Sequence, residues 1–194
     1  MWPEECNVEF QAWPKIPRTN VGLECVITEK IDGTNACIIV ETDSENNPYV
    51  AGVQSRKRLI TPDSDNMGFA NWVNDNKETL AQGLGHGYHY AEWAGPGIQK
   101  NPHNLEQKTF FLFNTERWRE DRAGVPPLCS VVPVLYEGLF EQGVLDDVMM
   151  ELKENSDELG YKAEGVIVYM KGLRTSMKCT FEFSEGKWKG ESND

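Results

Sequence analysis

Long apolar runs are missing from this sequence. No stretch of the 194 residues reaches the ~20 consecutive apolar residues that a membrane-spanning helix needs. The first ten residues, MWPEECNVEF, contain acidic residues but no lysine or arginine, so they do not resemble a secretory signal peptide. We therefore expect a cytoplasmic protein that makes no contact with a membrane.

Cysteine and histidine are few and scattered. The 5 cysteines are an odd number, and none belongs to a Cys-x-x-Cys pair, which argues against a disulfide framework. The 3 histidines do not follow the cysteines at zinc-finger spacing. A structural zinc site is therefore not expected.

Positive charge is also scarce. The chain has 19 Lys and Arg against 31 Asp and Glu, which gives a formal net charge of −12 at pH 7. Proteins that wrap a phosphate backbone usually present a basic face, so the composition does not indicate a tight nucleic-acid binder. The run SRKR, at residues 55–58, is one local basic candidate.

The remaining composition is that of a globular protein, with 39% hydrophobic and 26% charged residues. Residues 1–22 are rich in Pro, Trp and polar side chains and predict an irregular N-terminal arm, followed by one domain over residues 23–190. Apolar periodicity predicts helices over 67–84 and 144–159. Short apolar and β-branched runs predict strands, with a turn within the first, over 24–41, 49–58, 87–99, 108–118, 129–140, 163–170 and 175–183. Many strands with flanking helices favour an α+β fold built on antiparallel sheets.

Five short motifs follow one another along the chain. Each is weak alone, and the Asp-Gly pair of the first is a common hairpin signal. They comprise the Lys-Ile-Asp-Gly run at 30–33, the basic residue Arg56, the strand-end acid Glu92, the Glu-Gly pair at 164–165 and the strand lysine Lys178.

Taken together, EKIDGTN, AEWAGPGIQ, FFLFNTERW, AEGVIVYM and MKCTFE resemble the covalent nucleotidyltransferase superfamily. Within it they resemble the RNA ligase family, in particular phage-type ATP-dependent RNA ligases. The resemblance implies an antiparallel-sheet nucleotidyltransferase domain, an ATP-grasp-like ligase adenylation domain with flanking helices. It implies ATP and Mg²⁺ (or Mn²⁺) as cofactors.

The activity implied is the sealing of a 5′-phosphate to a 3′-hydroxyl through a lysyl-AMP intermediate, in phage RNA repair and in the host cytoplasm. The partners implied are nucleic-acid ends, weakly bound, with RNA favoured over DNA. We expect no OB-fold or C-terminal domain in this chain, and a protein partner could supply such a domain. A DNA nick ligase, a nucleotidyltransferase acting on another acceptor, and a non-catalytic ATP- or AMP-binding module stay open as alternatives.

The resemblance assigns the nucleophile to Lys30. A free lysine has a pKa near 10.4 and must lose its proton before it can attack an α-phosphate, which burial and nearby positive charge favour. Glu29 and Ile31, on either side of it, are implied to bind the nucleotide. Asn35 is implied to serve the phosphate end of the site, although it could instead cap the turn through its own side chain.

Other nucleotide contacts are implied for Arg56, which would reach the ribose or phosphates, and for Glu92, which would accept a ribose hydroxyl. The neighbouring Lys57 and Arg58 are rival candidates for the role of Arg56. The purine is implied to stack on Phe113. Strand alternation places Phe111 on the same face as Phe113 and Phe110 on the other, and both stay open as alternatives for the stacking role.

The last two motifs are implied to handle metal and phosphate. Glu164 would bind the divalent cation, since Mg²⁺ prefers oxygen ligands and retains several waters. Lys178 would grip the α-phosphate and help to expel pyrophosphate. Thr180 stands where many relatives carry a second lysine, and Lys162 or Lys171 could supply that charge.

Overall fold

The structure is a computed structural model that describes residues 23–119 and 124–181. The predicted N-terminal arm, and residues 182–190 of the predicted domain, lie outside the described residues. The described chain is a mixture of helices and mostly antiparallel strands, as the sequence predicts. Its elements are β1 (Glu24–Glu29), β2 (Thr34–Thr42), β3 (Pro48–Ser55), β4 (Leu59–Ile60), α1 (Phe69–Leu84), β5 (Gly87–Ala94), β6 (Thr109–Leu112), β7 (Cys129–Val131), β8 (Val134–Leu139), α2 (Gln142–Leu159), β9 (Gly165–Met170) and β10 (Thr175–Thr180).

The strands form two sheets. One sheet has four strands in the order β10-β9-β1-β8, and the other has six in the order β4-β3-β2-β5-β6-β7. All pairings are antiparallel except that between β6 and β7, which is parallel. We call them the four-stranded and the six-stranded sheet.

The predicted strand–turn–strand at 24–41 is not a hairpin. β1 pairs with β8 and β9, whereas β2 pairs with β3 and β5, so the two strands belong to different sheets. The segment between them, at 30–33, therefore crosses from one sheet to the other. Its start is fixed on the four-stranded sheet, because the Lys30 N–H donates to the Gly165 carbonyl at 2.9 Å.

The single strand predicted over 129–140 is in fact two strands, β7 and β8, in different sheets. Pro133 lies at the break and has no N–H to give to a ladder, so a continuous central strand is disfavoured there. Its carbonyl accepts instead from the Glu29 N–H at 2.9 Å. The chain thus crosses between the sheets a second time, beside the first crossing.

Each sheet buries one face under a helix. α1 packs on the six-stranded sheet through Phe69, Val73, Leu80 and Leu84, which join Ile38 and Trp93 in one apolar cluster. α2 packs on the four-stranded sheet, where Leu145, Met149 and Leu152 meet Ile27 and Val166 in a second cluster. The other face of each sheet is not covered by these helices. These two uncovered faces can therefore line a cavity between the sheets.

Two glycines are required where strands meet closely. A Cβ on Gly33 would lie 2.5 Å from the Trp93 carbonyl oxygen, so this position needs glycine for its close approach to β5. Gly165 has a φ of +139°, and a Cβ there would lie 2.1 Å from the Cys179 carbonyl oxygen. Both glycines hold residues of the predicted site against their neighbouring strands.

Candidate active site

A cavity of about 1220 Å³ lies between the uncovered faces of the two sheets. It is lined from the four-stranded side by alternate residues of β1 and β9, such as Thr28 and Ile167, and from the six-stranded side by β5. All nine residues singled out in the sequence line this cavity: Glu29, Lys30, Ile31, Asn35, Arg56, Glu92, Phe113, Glu164 and Lys178. The structure brings the set together in one cavity.

Lys30 and Glu164 are in direct contact at the crossing between the sheets. The Lys30 Nζ forms an ion pair with the Glu164 carboxylate, and their side chains are only 23% and 19% exposed. Lys30 follows the last residue of β1, and Glu164 precedes the first residue of the paired strand β9. The pairing of these two strands therefore brings together residues that are 134 positions apart.

Negative charge accumulates around Lys30. The pKa of Glu92 is raised to about 7, chiefly by burial; the charge of Lys30 opposes this rise, and the charges of Glu164 and Asp32 add to it. Burial and the Glu164 charge likewise raise the pKa of Asp32. The Asn35 Nδ2 donates to the Glu92 carboxylate at 3.2 Å, which gives this acid the partner that a buried carboxyl group needs.

These carboxylates suit a hard divalent cation. The described residues contain no group of three or more His, Cys, Asp or Glu side chains arranged to enclose a metal ion. Mg²⁺ and Mn²⁺ do not require such an enclosure, since Mg²⁺ in particular keeps several waters and binds through one or two carboxylates. Glu164, with the negative potential of Glu92 and Asp32 beside it, fits that chemistry.

Behind Lys30 lies a buried polar cluster that the sequence does not reveal. The His103 Nε2 is 3.2 Å from the Glu29 Oε1, and both side chains are 7% exposed. Burial and the neighbouring Glu29 carboxylate raise the pKa of Tyr161 to about 12, and its ring stacks on His103. Because side chains alternate along β1, Glu29 shares its face with Ile27 rather than with Lys30. Its carboxylate is therefore engaged with His103 and Tyr161, although the residue also borders the cavity.

The structure distinguishes the three phenylalanines of the predicted stacking motif by position. Phe110 is fully buried in the cluster under α1. Phe111 is partly buried against Ile31 and Val132, at the junction of the two sheets. Phe113 is 42% exposed and is the phenylalanine that lines the cavity. A purine in the cavity can therefore reach Phe113 but not Phe110.

The structure also distinguishes the basic residues of the run at 55–58 by their positions. Arg56 lines the cavity. The Arg58 guanidinium donates to the Ser64 carbonyl at 2.9 Å and to the Asp65 carbonyl at 3.2 Å, so it holds its own loop together. Neither Lys57 nor Arg58 lines the cavity, which leaves Arg56 as the member of this run placed to contact a ligand there.

Thr180 does not substitute for a phosphate-binding lysine. It is 1% exposed, and its hydroxyl is buried with no hydrogen-bond partner among the described residues. Lys171 lines the cavity, where its amine pairs with Glu137, whereas Lys162 does not line it. Of the two proposed substitutes for a second lysine, only Lys171 is therefore in reach of a ligand.

Two tyrosines of β5 also line the cavity and were not singled out from the sequence. Tyr88 and Tyr90 precede Glu92 at intervals of two residues. In a strand this interval places all three side chains on one face. The alternation in GYHYAEWA carries this signal once Glu92 is placed in the cavity.

Comparison with known proteins agrees with this picture. A family model described as RNA ligase matches residues 23–180. A solved structure of a Naegleria gruberi RNA ligase mutant with ATP and Mn is 17% identical, with a TM-score of 0.55, and the match covers 82% of this chain and 49% of that one. Another, with AMP and Mn, is 18% identical, with a TM-score of 0.56, and covers 83% of this chain and 50% of that one.

At these identities the likeness shows a shared fold. The chain spans about half the length of the solved structures it matches. A comparison with curated proteins found no match.

Neither of the helices in the described part of the chain could cross a bilayer, since both are too short or too polar.

Proposed function

This chain belongs to the RNA ligase family, and on that premise we propose that it is an ATP-dependent RNA ligase that forms a lysyl-AMP intermediate on Lys30. The observation that carries the proposal is the position of Lys30. Its amine lies at the crossing between two sheets, beside Glu164, in a cavity that also holds the other residues the sequence singled out.

In the first step, the Lys30 Nζ attacks the α-phosphorus of ATP. A phosphorus–nitrogen bond forms, the bond to the β-phosphate oxygen breaks, and pyrophosphate leaves with its electron pair. The amine must give up protons to make this bond, and the Glu164 carboxylate that contacts it is the nearest acceptor. Lys178, which lines the same cavity, would neutralise charge on the phosphates.

The remaining residues would position the nucleotide. Phe113, whose ring is exposed in the cavity, would stack on the purine, and Arg56 and Asn35, which also line the cavity, would contact the sugar and phosphates. Glu92 would accept a hydrogen bond from a ribose hydroxyl in its ionised form. Fixed positioning of this kind is a large part of catalysis in phosphoryl-type transfers.

Glu164 is the residue that would hold the divalent cation, with the charges of Asp32 and Glu92 nearby. When bound, such a cation neutralises phosphate charge that would otherwise repel these acids. The solved relatives that contain nucleotide also contain Mn, which supports Mn²⁺ or Mg²⁺ here.

Two further steps complete the proposed reaction. AMP passes from Lys30 to a 5′-phosphate end, which forms a 5′–5′ pyrophosphate linkage, and a 3′-hydroxyl then attacks that end and displaces AMP. The resemblance of the sequence motifs to phage-type RNA ligases supports a role in RNA repair in a phage-infected cell. Because the net charge is −12, we expect weak binding of the polynucleotide.

The first step is tested with ATP labelled on the α-phosphate, in the presence of Mg²⁺ or Mn²⁺. Label should stay on the wild-type protein after denaturation and should be lost in Lys30→Ala. The matched control is Lys153→Ala, a lysine that is 56% exposed on α2 and outside the cavity, and this variant should keep the label. Label that persists in Lys30→Ala would show that another residue is the nucleophile.

The later steps are tested by offering preformed adenylylated protein a set of ends. Single-stranded RNA with a 5′-phosphate, nicked RNA and nicked DNA of matched sequence are supplied in parallel. We expect RNA ends to consume the label and to yield joined strands. Preferential consumption by nicked DNA would replace RNA ligation with DNA ligation as the function.

A further inference from the structure

Two exposed tyrosines stand side by side on the cavity face of β5. Tyr88 is 58% exposed and Tyr90 is 54% exposed. Their rings are stacked, with centroids 6.2 Å apart and planes inclined by 22°. Both residues line the same cavity as Lys30.

Packing in the apolar core does not account for the position of these two tyrosines. The residues that alternate with them, His89 and Ala91, are 3% and 0% exposed, and Ala91 belongs to the apolar cluster under α1. The tyrosines therefore point away from the packed face of the sheet and leave two large rings in solvent. A paired exposed aromatic surface beside a functional cavity is typical of a site for a ligand with flat rings.

The charge of the cavity suits an anionic ligand. Its lining includes five Lys or Arg residues and four Glu residues, whereas the whole chain has 19 basic and 31 acidic residues. Two of these four acids are already paired, Glu29 with His103 and Glu164 with Lys30, and of the cations Lys171 is also paired, with Glu137. The cavity is thus far less acidic than the rest of the protein, and phosphates are tolerated there. The cations are Lys30, Arg56, Arg117, Lys171 and Lys178.

Tyr90 lies opposite Phe113, whose N–H donates to the Tyr90 carbonyl at 3.1 Å, and Tyr88 lies beyond Tyr90 along β5. A strand rises by about 3.3 Å per residue, so Tyr90 lies about 7 Å and Tyr88 about 13 Å along β5 from Glu92. Phe113 is already available for the purine of ATP. The tyrosine pair therefore extends the aromatic surface of Phe113 along the groove, and its Tyr88 end is placed for rings beyond the purine.

We propose that Tyr88 and Tyr90 form a stacking platform for unpaired bases of the RNA substrate next to its reacting end. This inference rests on the proposed function. Every base offers a π-face, so such a platform binds RNA without regard to sequence and adds affinity that salt does not screen. Stacking contributes about 1–3 kcal/mol per base, which corresponds to a factor of about 5 to 150 in the dissociation constant.

The test measures the dissociation constant of a fluorescent, 5′-phosphorylated single-stranded RNA 12-mer by anisotropy at one fixed salt concentration. Tyr88→Ala and Tyr90→Ala should each weaken binding by about 5-fold or more. Tyr88→Phe and Tyr90→Phe should retain it, because the ring is kept. Tyr90→Leu, which keeps apolar bulk without an aromatic face, should weaken binding as Ala does.

Tyr49→Ala is the matched control. Tyr49 lies on β3 of the same sheet, is 49% exposed, and does not line the cavity. This variant should bind the 12-mer as tightly as wild type. An equal loss in Tyr49→Ala would mean that any exposed tyrosine contributes non-specifically, and the platform would be rejected.

Base stacking is isolated with a second RNA that carries abasic sugars next to its 5′-phosphate. If the tyrosines stack on bases, Tyr90→Ala should make no difference to the binding of this abasic RNA. Wild-type affinity in Tyr90→Leu, or an undiminished effect of Tyr90→Ala on abasic RNA, would overturn the proposal.

Rejection of the stacking platform can be distinguished from rejection of the proposed function. Lys30-dependent labelling with ATP, together with RNA binding that ignores both tyrosines, would reject the platform and leave the ligase proposal standing. Absence of labelling in wild type would reject the ligase proposal, whatever the tyrosine variants do.

Discussion

The buried acid Glu92 offers a sharp test of the electrostatics of the cavity. Its pKa is raised from the ordinary value of 4.5 to about 7, chiefly by burial and then by the charges of Glu164 and Asp32. Between these two values the folded protein holds a proton that the unfolded chain releases. The free energy of unfolding should therefore fall as the pH rises through this window.

The magnitude follows from the two pKa values. A difference from 4.5 to about 7 corresponds to about 3 kcal/mol of destabilisation above pH 7, at ~1.4 kcal/mol per pH unit. At pH 5 the unfolded chain has already begun to titrate, so the change between pH 5 and pH 8 is about 2–3 kcal/mol. Glu92→Gln removes the titrating group. The free energy of unfolding of this variant minus that of wild type should therefore increase by this amount from pH 5 to pH 8.

The assay is urea unfolding of wild type and Glu92→Gln at pH 5 and pH 8. The control is Glu154→Gln, an exposed residue of α2, for which we expect a change below ~0.5 kcal/mol at either pH. The stabilised Glu92→Gln variant should at the same time lose activity, because its side chain can no longer accept a ribose hydroxyl as a carboxylate. If the unfolding free energies of Glu92→Gln and wild type differ by the same amount at pH 5 and at pH 8, the reasoning is refuted.

Two further predictions concern stability. Gly165→Ala should cost about 3 kcal/mol or more in urea unfolding, because its φ is +139° and a Cβ would meet the Cys179 carbonyl oxygen at 2.1 Å. Gly143→Ala in α2, where a Cβ meets nothing within 4 Å, should be neutral or stabilising, and equal effects of the two variants would contradict this account. His103→Ala should cost about 1–3 kcal/mol, because it leaves a buried carboxylate with one partner fewer. The matched control is His86→Ala, whose histidine also lies 3.2 Å from a glutamate but is 63% exposed; it should cost less than ~0.5 kcal/mol, and a cost equal to that of His103→Ala would argue against a role for burial.

Local pattern predicted most of the elements. The apolar spacing of FANWVNDNKETLAQGL predicts the helix that the structure shows at Phe69–Leu84, because a helix buries one stripe of its surface. Boundaries were less accurate where a strand leaves its sheet. The run at 108–118 forms a strand only over Thr109–Leu112. The two-residue strand β4, at Leu59–Ile60, directly follows the basic run at 55–58 and was not predicted.

Pairing between distant strands could not be predicted in the same way. Nothing in the residues of β1 and β2 states that they belong to different sheets, since an Asp-Gly between two apolar runs is equally compatible with a hairpin. The partner of each strand is chosen by burial across the whole domain, and both partners of β1 lie more than 100 residues away, as for Cys25 and Met170. His103 escaped notice for the same reason, because its partner Glu29 is 74 positions away.

The sequence by itself determined which residue types are available and in what order, and the motif order was sufficient to indicate the family. It also determined which side chains share a face within each strand, because that follows from the two-residue period of the backbone. Only the tertiary structure decided which faces meet. The crossing at residues 30–33 places Lys30 between the sheets, and the β1–β9 pairing brings Glu164 to it. Those contacts depend on long-range packing, which no local pattern encodes.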